Sequence, residues 1–100
     1  MSTTTKIESV EQVEALPVGS VIEDKYHGYH VNYTKLETGK FHVTVLDAPT
    51  LFHRMDIELD AEYKNEAGGV PAELFQLGLD AGADLTVLAT EATPSAEVAA

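Results

Sequence analysis

Apolar and polar residues alternate along residues 29 to 36 and again along residues 40 to 46, and the segment LETGK joins the two runs. This alternation is typical of strands buried on one face, and the short glycine-containing link predicts a hairpin. A type I turn with Gly39 in a left-handed bulge predicts three facing pairs: Lys35 and Phe41, Tyr33 and Val43, Val31 and Val45. This register collects the large apolar side chains on one face. A two-residue turn would instead bury polar residues.

A third alternating run, LFHRMDIELDAEY, covers residues 51 to 63 and predicts a long half-buried strand. Its apolar side would comprise Leu51, His53, Met55, Ile57 and Leu59. Its other side would begin with Arg54 and continue as an acidic row of Asp56, Glu58, Asp60 and Glu62. A solvated strand face explains this row better than a cation site, because residues two apart on a strand are about 7 Å apart and do not converge on one ion.

Helix signals occur at two places. Ser9 followed by Gln12 is a capping-box pattern and predicts a helix of about two turns. Pro71 predicts the start of a second helix that ends near Gly82. Its buried side would comprise Leu74, Phe75 and Leu77. Further strands are expected at residues 20 to 23 and 83 to 89, and the segment DKYHG is expected to be a hairpin loop with Gly28 at positive φ.

These elements predict an α+β fold: a small antiparallel β-meander or partly open barrel with a short N-terminal helix and one helix before the last strand. One hundred residues suit one domain and are too few for two. We expect a disordered N-terminus at residues 1 to 6, a single domain at 7 to 90 and a disordered tail at 91 to 100, where small, polar and proline residues predominate.

Charge and composition restrict the function classes. Seventeen acidic residues against six basic ones give a formal net charge of -11. Direct binding to nucleic acid or to anionic membranes is disfavoured, because phosphates are neutralised by clustered cations. We therefore expect a protein partner with a basic or neutral surface, or a homo-oligomer. The chain has no cysteine, no secretory signal pattern and no apolar run of eighteen residues, which predicts a soluble, cytoplasmic protein without disulfides.

No motif specifies a reaction. His27 and His30 are three residues apart, so on a strand they point to opposite faces. His30 and His42 share a face but lie about 13 Å apart by strand rise, which is too far for one metal ion. No serine lies in a nucleophile elbow, and the glycine pair in AGGVPAEL lacks a basic residue to hold a phosphate. We expect no metal, no cofactor and no enzymatic activity.

Two segments resemble known families. ALPVGSVIED resembles the opening of small accessory proteins encoded by actinobacterial phages, which implies an accessory protein that acts by binding in the host cytoplasm. LFQLGLDAGADLTVL is similar to the helix-to-strand joint of small SH3-like barrels of the ferrous-transport A type. There a leucine-glycine pair ends a helix and a second glycine opens a strand. This second resemblance implies a local structure and a small barrel, and no iron-transport role is carried over.

The leading hypothesis is a non-enzymatic, acidic interaction module that binds a host or viral protein. Tyrosine and histidine offer rigid contact area with a polar tip, so the polar face of the predicted hairpin, with tyrosines at its rim, is the predicted binding site. Its residues are Tyr26, Tyr29, His30, Asn32, Thr34, His42 and Thr44. Two alternatives stay open. One is a nucleic-acid mimic whose acidic row from Asp56 to Glu62 inhibits a host DNA-binding or defence protein, and the other is a structural component of a virion or other assembly.

Overall fold

The computed structural model describes residues 5 to 89 and confirms the α+β class. Its five strands are β1 (Thr5–Lys6), β2 (Val21–Tyr26), β3 (Tyr29–Lys35), β4 (Phe41–Asp47) and β5 (Asp84–Ala89). The helices are α1 (Val10–Glu14), α2 (Leu51–Glu66) and α3 (Phe75–Ala81), and a 3₁₀ turn at Ala72–Leu74 precedes α3. All strand pairs are antiparallel, and the open sheet has the order β1-β5-β2-β3-β4. Within residues 5 to 89, no helix is long and apolar enough to cross a membrane.

Local turn chemistry produces both hairpins. Strands β2 and β3 are joined by His27 and Gly28, which both have positive φ (47° and 85°), as a two-residue primed turn requires. Strand β2 therefore extends further than the predicted residues 20 to 23. At the β3–β4 turn, Gly39 has φ 91°, and the Leu36 amide donates to the Lys40 carbonyl at 2.8 Å. The bulged register is confirmed: the three predicted facing pairs are Lys35 with Phe41, Tyr33 with Val43, and Val31 with Val45.

The predicted strand at residues 51 to 63 is wrong, because this segment forms the long helix α2. Its composition favours a helix, since Ile57 is the only β-branched residue between positions 51 and 66. Thr50 caps the helix by accepting a hydrogen bond from the His53 amide at 3.1 Å. The least exposed side chains of α2 follow helical spacing: Arg54, Ile57, Ala61 and Asn65.

The second predicted helix is present, but its buried side differs from the prediction. Phe75 is buried, whereas Leu74 and Leu77 are 41% and 67% exposed. Leu79, one turn after Phe75, packs against the core instead. The helix ends where Gly82 takes a left-handed conformation with φ 87°, and β5 follows as predicted.

The helices share one face of the sheet with the hydrophobic core. Phe75 of α3 packs edge-on against Tyr33 and Phe41, Ala61 of α2 belongs to the same cluster, and Val13 of α1 is fully buried in it. The capping box of α1 joins Ser9 and Gln12 as predicted. At the N-terminus, β1 pairs with β5, so regular structure begins within the segment that we expected to be disordered. The predicted tail at residues 91 to 100 lies outside the described residues.

Candidate functional site

Helix α2 exposes a row of large apolar side chains on the side opposite the sheet. Their exposed fractions are between 62% and 77%, which is unusual for side chains of this size in a small domain. We call this row the apolar stripe, and it comprises Leu51, Phe52, Met55, Leu59 and Tyr63. The spacing of three and four residues keeps these side chains on one side of the helix. The stripe therefore forms a continuous surface that the described fold does not cover.

The sequence contains a helical periodicity from which this stripe could have been predicted. Counted with a period of 3.6, residues 51 to 66 contain two sets: one with Ile57 and Ala61 faces the sheet, and one with Met55 and Leu59 faces away. Counted with a period of two, Ile57 and Leu59 fall on the same side. The alternating pattern therefore predicted one strand face from residues that lie on two different sides of the helix, one facing the core and one facing solvent.

Acidic residues surround the apolar stripe. Helix α2 carries two cations, and both are engaged within the helix: Arg54 with Glu58 at 3.3 Å, and Lys64 with Asp60 at 3.0 Å. The salt bridges among residues 5 to 89 leave the other three carboxylates of the helix without a cation; these are Asp56, Glu62 and Glu66. The electrostatic potential along the stripe is therefore negative.

The acidic row was predicted as one face of a strand. Because the segment is a helix, its four carboxylates are divided between two sides. Because successive residues of a helix are rotated by about 100°, alternate positions do not share a side. Asp56 and Asp60 face a cleft towards strands β2 and β3. Glu58 and Glu62 line a groove of about 520 Å³ on the other side, beside β4. The four carboxylates do not form one continuous row.

The predicted binding residues are divided between the two faces of the sheet. The polar ones share the face opposite the helices, with Asn32 paired with Thr44 and Thr34 with His42. Tyr26 and Tyr29 pair with each other beside the turn and line the cleft on the helix side. The tyrosines therefore do not form a rim for the polar face.

His30 departs from its predicted position. Counted outward from the predicted pair of Val31 and Val45, a regular register would place His30 opposite Leu46, but a bulge between His30 and Val31 places it opposite Asp47. Its Nε2 atom is hydrogen-bonded to the Glu23 carboxylate at 2.8 Å. In the described part of the chain, no group of three or more histidine and acidic side chains is arranged to hold a metal ion.

Two sets of hydrogen bonds occupy the outer edge of β4. The Asn65 side-chain amide accepts from the Val43 amide at 2.8 Å and donates to the Val43 carbonyl at 2.9 Å. Two residues earlier on the strand, Phe41 exchanges two backbone hydrogen bonds with Val70, both at 2.8 Å. These contacts satisfy edge groups that would otherwise attract another strand, so this part of β4 is closed to sheet extension.

The cleft on the other side of α2 has an aromatic and acidic lining. It has a volume of about 410 Å³ and lies between the first half of α2 and strands β2 and β3. Its polar walls combine three tyrosines, three aspartates and one histidine: Tyr26, Tyr29, Tyr33, Asp24, Asp56, Asp60 and His53. We call it the tyrosine cleft.

Burial shifts the ionisation of the two innermost groups of the tyrosine cleft. The pKa of Asp24 is raised by burial, an effect that its interaction with Tyr33 opposes and the negative charge of Asp84 reinforces. The pKa of Tyr33 is also raised, by burial and then by the charges of Asp24 and Asp60. Tyr33 is therefore neutral, and an ionised Asp24 side chain is destabilised by its surroundings.

Comparison with protein families, with curated proteins and with solved structures finds no match for this chain. Neither of the two local resemblances in the sequence gains support from these comparisons. The surfaces of the molecule are therefore the basis for the proposed function.

Proposed function

We propose that this protein is a non-enzymatic interaction module that binds another protein through the apolar stripe of α2. The observation that carries this proposal is the exposure of five large apolar side chains on one side of a single helix. Leaving such side chains in water forgoes about 1.5 to 3 kcal/mol for each one that a partner could bury. The arrangement suits the helix-in-groove mode of recognition, in which one helix face enters an apolar groove.

The charges around the stripe define the partner. Asp56, Glu62 and Glu66 flank apolar residues without a cation of their own, so a complementary groove would carry lysine or arginine at its rim. Such rim charges would accelerate association and orient the helix. The predicted basic or neutral protein partner fits this description, and nucleic acid does not.

A second copy of this chain is a poorer occupant of the stripe. Pairing two stripes would bring the acidic margins of both helices together, on molecules that each carry a formal net charge of -11. Like charges at a desolvated interface cost several kcal/mol. The proposed partner is therefore a different protein, and self-association is an outcome that the test must detect.

Matched double variants test the proposal. The Phe52→Ser/Leu59→Ser variant removes two of the five apolar side chains of the stripe, and the His42→Ala/Thr44→Ala variant alters exposed residues on the polar sheet face. Both should keep the wild-type melting temperature, because all four side chains are exposed. Proteins captured from extracts of the native host by wild-type protein would be identified, purified and titrated against each variant by calorimetry.

We expect the captured partner to bind the stripe variant at least about tenfold more weakly and the sheet variant with wild-type affinity, because two buried anchors are lost in the first case only. Loss of binding with the sheet variant alone would move the interface to the polar face and overturn the proposal. Binding that disappears between low and moderate salt would favour the acidic mimic. A wild-type dimer in sedimentation that the stripe variant abolishes would favour a second copy.

A further inference from the structure

The tyrosine cleft is a cavity beside α2 that is not lined by the side chains of the apolar stripe. Helix α2 packs mainly along β4, where Ala61 and Ile57 contact the core. This placement leaves the turn end of β2 and β3 uncovered, and the cavity of about 410 Å³ opens there. A space of this size accommodates a small organic group or the end of one long side chain.

Aromatic rings line the walls of the cleft. The Tyr29 ring lies edge-on to the His53 ring, with 6.2 Å between the ring centroids. The Tyr33 ring is held by Phe75 at 4.8 Å, also edge-on, so its position is set by the core. Tyr26 completes this aromatic lining and is 37% exposed. The face of a tyrosine ring carries negative electrostatic potential, which attracts ammonium and guanidinium groups.

Carboxylates reach the cleft from two of the three elements that form it. Asp24 comes from β2, and Asp56 and Asp60 come from α2. Lys64 engages Asp60 at 3.0 Å, but no lysine or arginine lines the cleft itself. The Asp24 Oδ1 atom is shielded from solvent and has no hydrogen-bond partner among the described residues. The Asp24 carboxyl also interacts with the Tyr33 side chain, so a cation in the cleft would be attracted by the negative charge of Asp24 and not by contact with the shielded Oδ1 atom.

We propose that the tyrosine cleft binds an organic cation, a primary ammonium or guanidinium group on an alkyl chain. The rings and the alkyl chain would supply apolar contact, while Asp24 and Asp56 would supply opposite charge. An anionic ligand is excluded by the three aspartates. The cleft shares Asp56 with the acidic margin of the apolar stripe but is lined by none of the stripe's apolar side chains. The proposal does not depend on partner binding to the stripe.

The test is a titration of the full chain followed by amide and aromatic NMR at moderate ionic strength, which screens binding to exposed acids. The probes are n-butylammonium, n-butylguanidinium and, as a neutral ligand of similar length, n-butanol. Asp24→Asn and Tyr29→Leu alter the cleft. Glu37→Gln makes the same charge change in the exposed β3–β4 turn and serves as the control. Circular dichroism melts establish that each variant is folded.

We expect saturable shifts at Tyr26, Tyr29 and His53 with both cations and weaker binding of butanol. Asp24→Asn should lower the affinity for the cations about tenfold, and Tyr29→Leu should lower it about threefold. Glu37→Gln should leave it unchanged. Three outcomes would each overturn the proposal. They are an affinity for butanol equal to that for the cations, equal effects of Asp24→Asn and Glu37→Gln, and amide shifts at all acidic residues of α2.

The source of the cation is decided by a second comparison. The free polyamine spermidine is titrated beside a blocked peptide with a central lysine and the same peptide with norleucine. Tighter binding of spermidine would identify a small-molecule ligand, whereas tighter binding of the lysine peptide would identify a side chain of a protein. If neither spermidine nor the lysine peptide binds more tightly than the norleucine peptide, the cleft is not a cation site.

Discussion

Replacing Ile57 by alanine should destabilise this protein, and replacing Leu59 by alanine should not, although the two residues are neighbours of equal size. Ile57 is half-buried against the core, whereas Leu59 is 68% exposed. Truncation of a fully buried isoleucine to alanine costs about 2 to 5 kcal/mol. For a half-buried side chain, we expect a loss of about 1 to 2 kcal/mol in the free energy of unfolding. The Leu59 variant should stay within about 0.5 kcal/mol of wild type.

Urea unfolding followed by far-ultraviolet circular dichroism measures both changes. In a domain of this size, the expected loss for Ile57→Ala corresponds to a melting temperature lower by about 4 to 16 °C. The slope of the free energy against urea should stay constant in both variants, because neither changes the surface exposed on unfolding by much. Equal losses for the two variants would refute the helical arrangement, since only a strand places both side chains on one face.

Three further predictions concern the β4 edge and the buried carboxylate. Asn65→Ala removes two hydrogen bonds to Val43, so the free energy of unfolding should fall by about 1 to 3 kcal/mol in urea titrations; an unchanged midpoint would contradict the edge contact. Gly69→Ala should cost more than about 1 kcal/mol, because φ is 105° and the new Cβ would lie 2.7 Å from the Phe41 carbonyl oxygen; a wild-type melting curve would contradict this. Burial raises the folded-state pKa of Asp24 above 3.8, so the folded protein binds more protons above that pH and its stability falls as pH rises through the folded-state pKa. Asp24→Asn should therefore melt higher than wild type at pH 7 and lose its advantage at acidic pH, and a lower melting temperature at pH 7 would show that the charge is stabilising.

The two proposed sites lie on adjoining sides of the same helix. Asp56 and Asp60 line the tyrosine cleft and also border Leu59 and Tyr63 of the apolar stripe. A basic partner seated on the stripe would thus bring its cations close to the cleft. Burial raises the pKa of Asp24, and an acidic side chain with a perturbed pKa beside a cavity is typical of a ligand-binding position.

Features set by neighbouring residues in the chain were predictable from sequence. The bulged turn at Gly39 determined the β3–β4 register, and the register determined that Val31, Phe41 and Val43 face the core. The capping box at Ser9 and the left-handed Gly82 set the start of α1 and the end of α3. The acidic balance follows from composition alone. At the turn and at the two helix ends, the interactions responsible span only a few residues.

The sequence pattern left the segment that carries the proposed function undecided between strand and helix. Residues 51 to 60 alternate in polarity and are also good helix formers, so their pattern is compatible with both a strand and a helix. The Thr50 cap and the packing of Ala61 against the sheet select the helix. That choice turns Leu59 outward to form the apolar stripe and divides the acidic row. The tyrosine cleft arises from the same packing, because residues from β2, β3 and α2 meet only when the helix lies along β4. These residues are far apart in the chain, so no local sequence pattern predicts that they line one cavity.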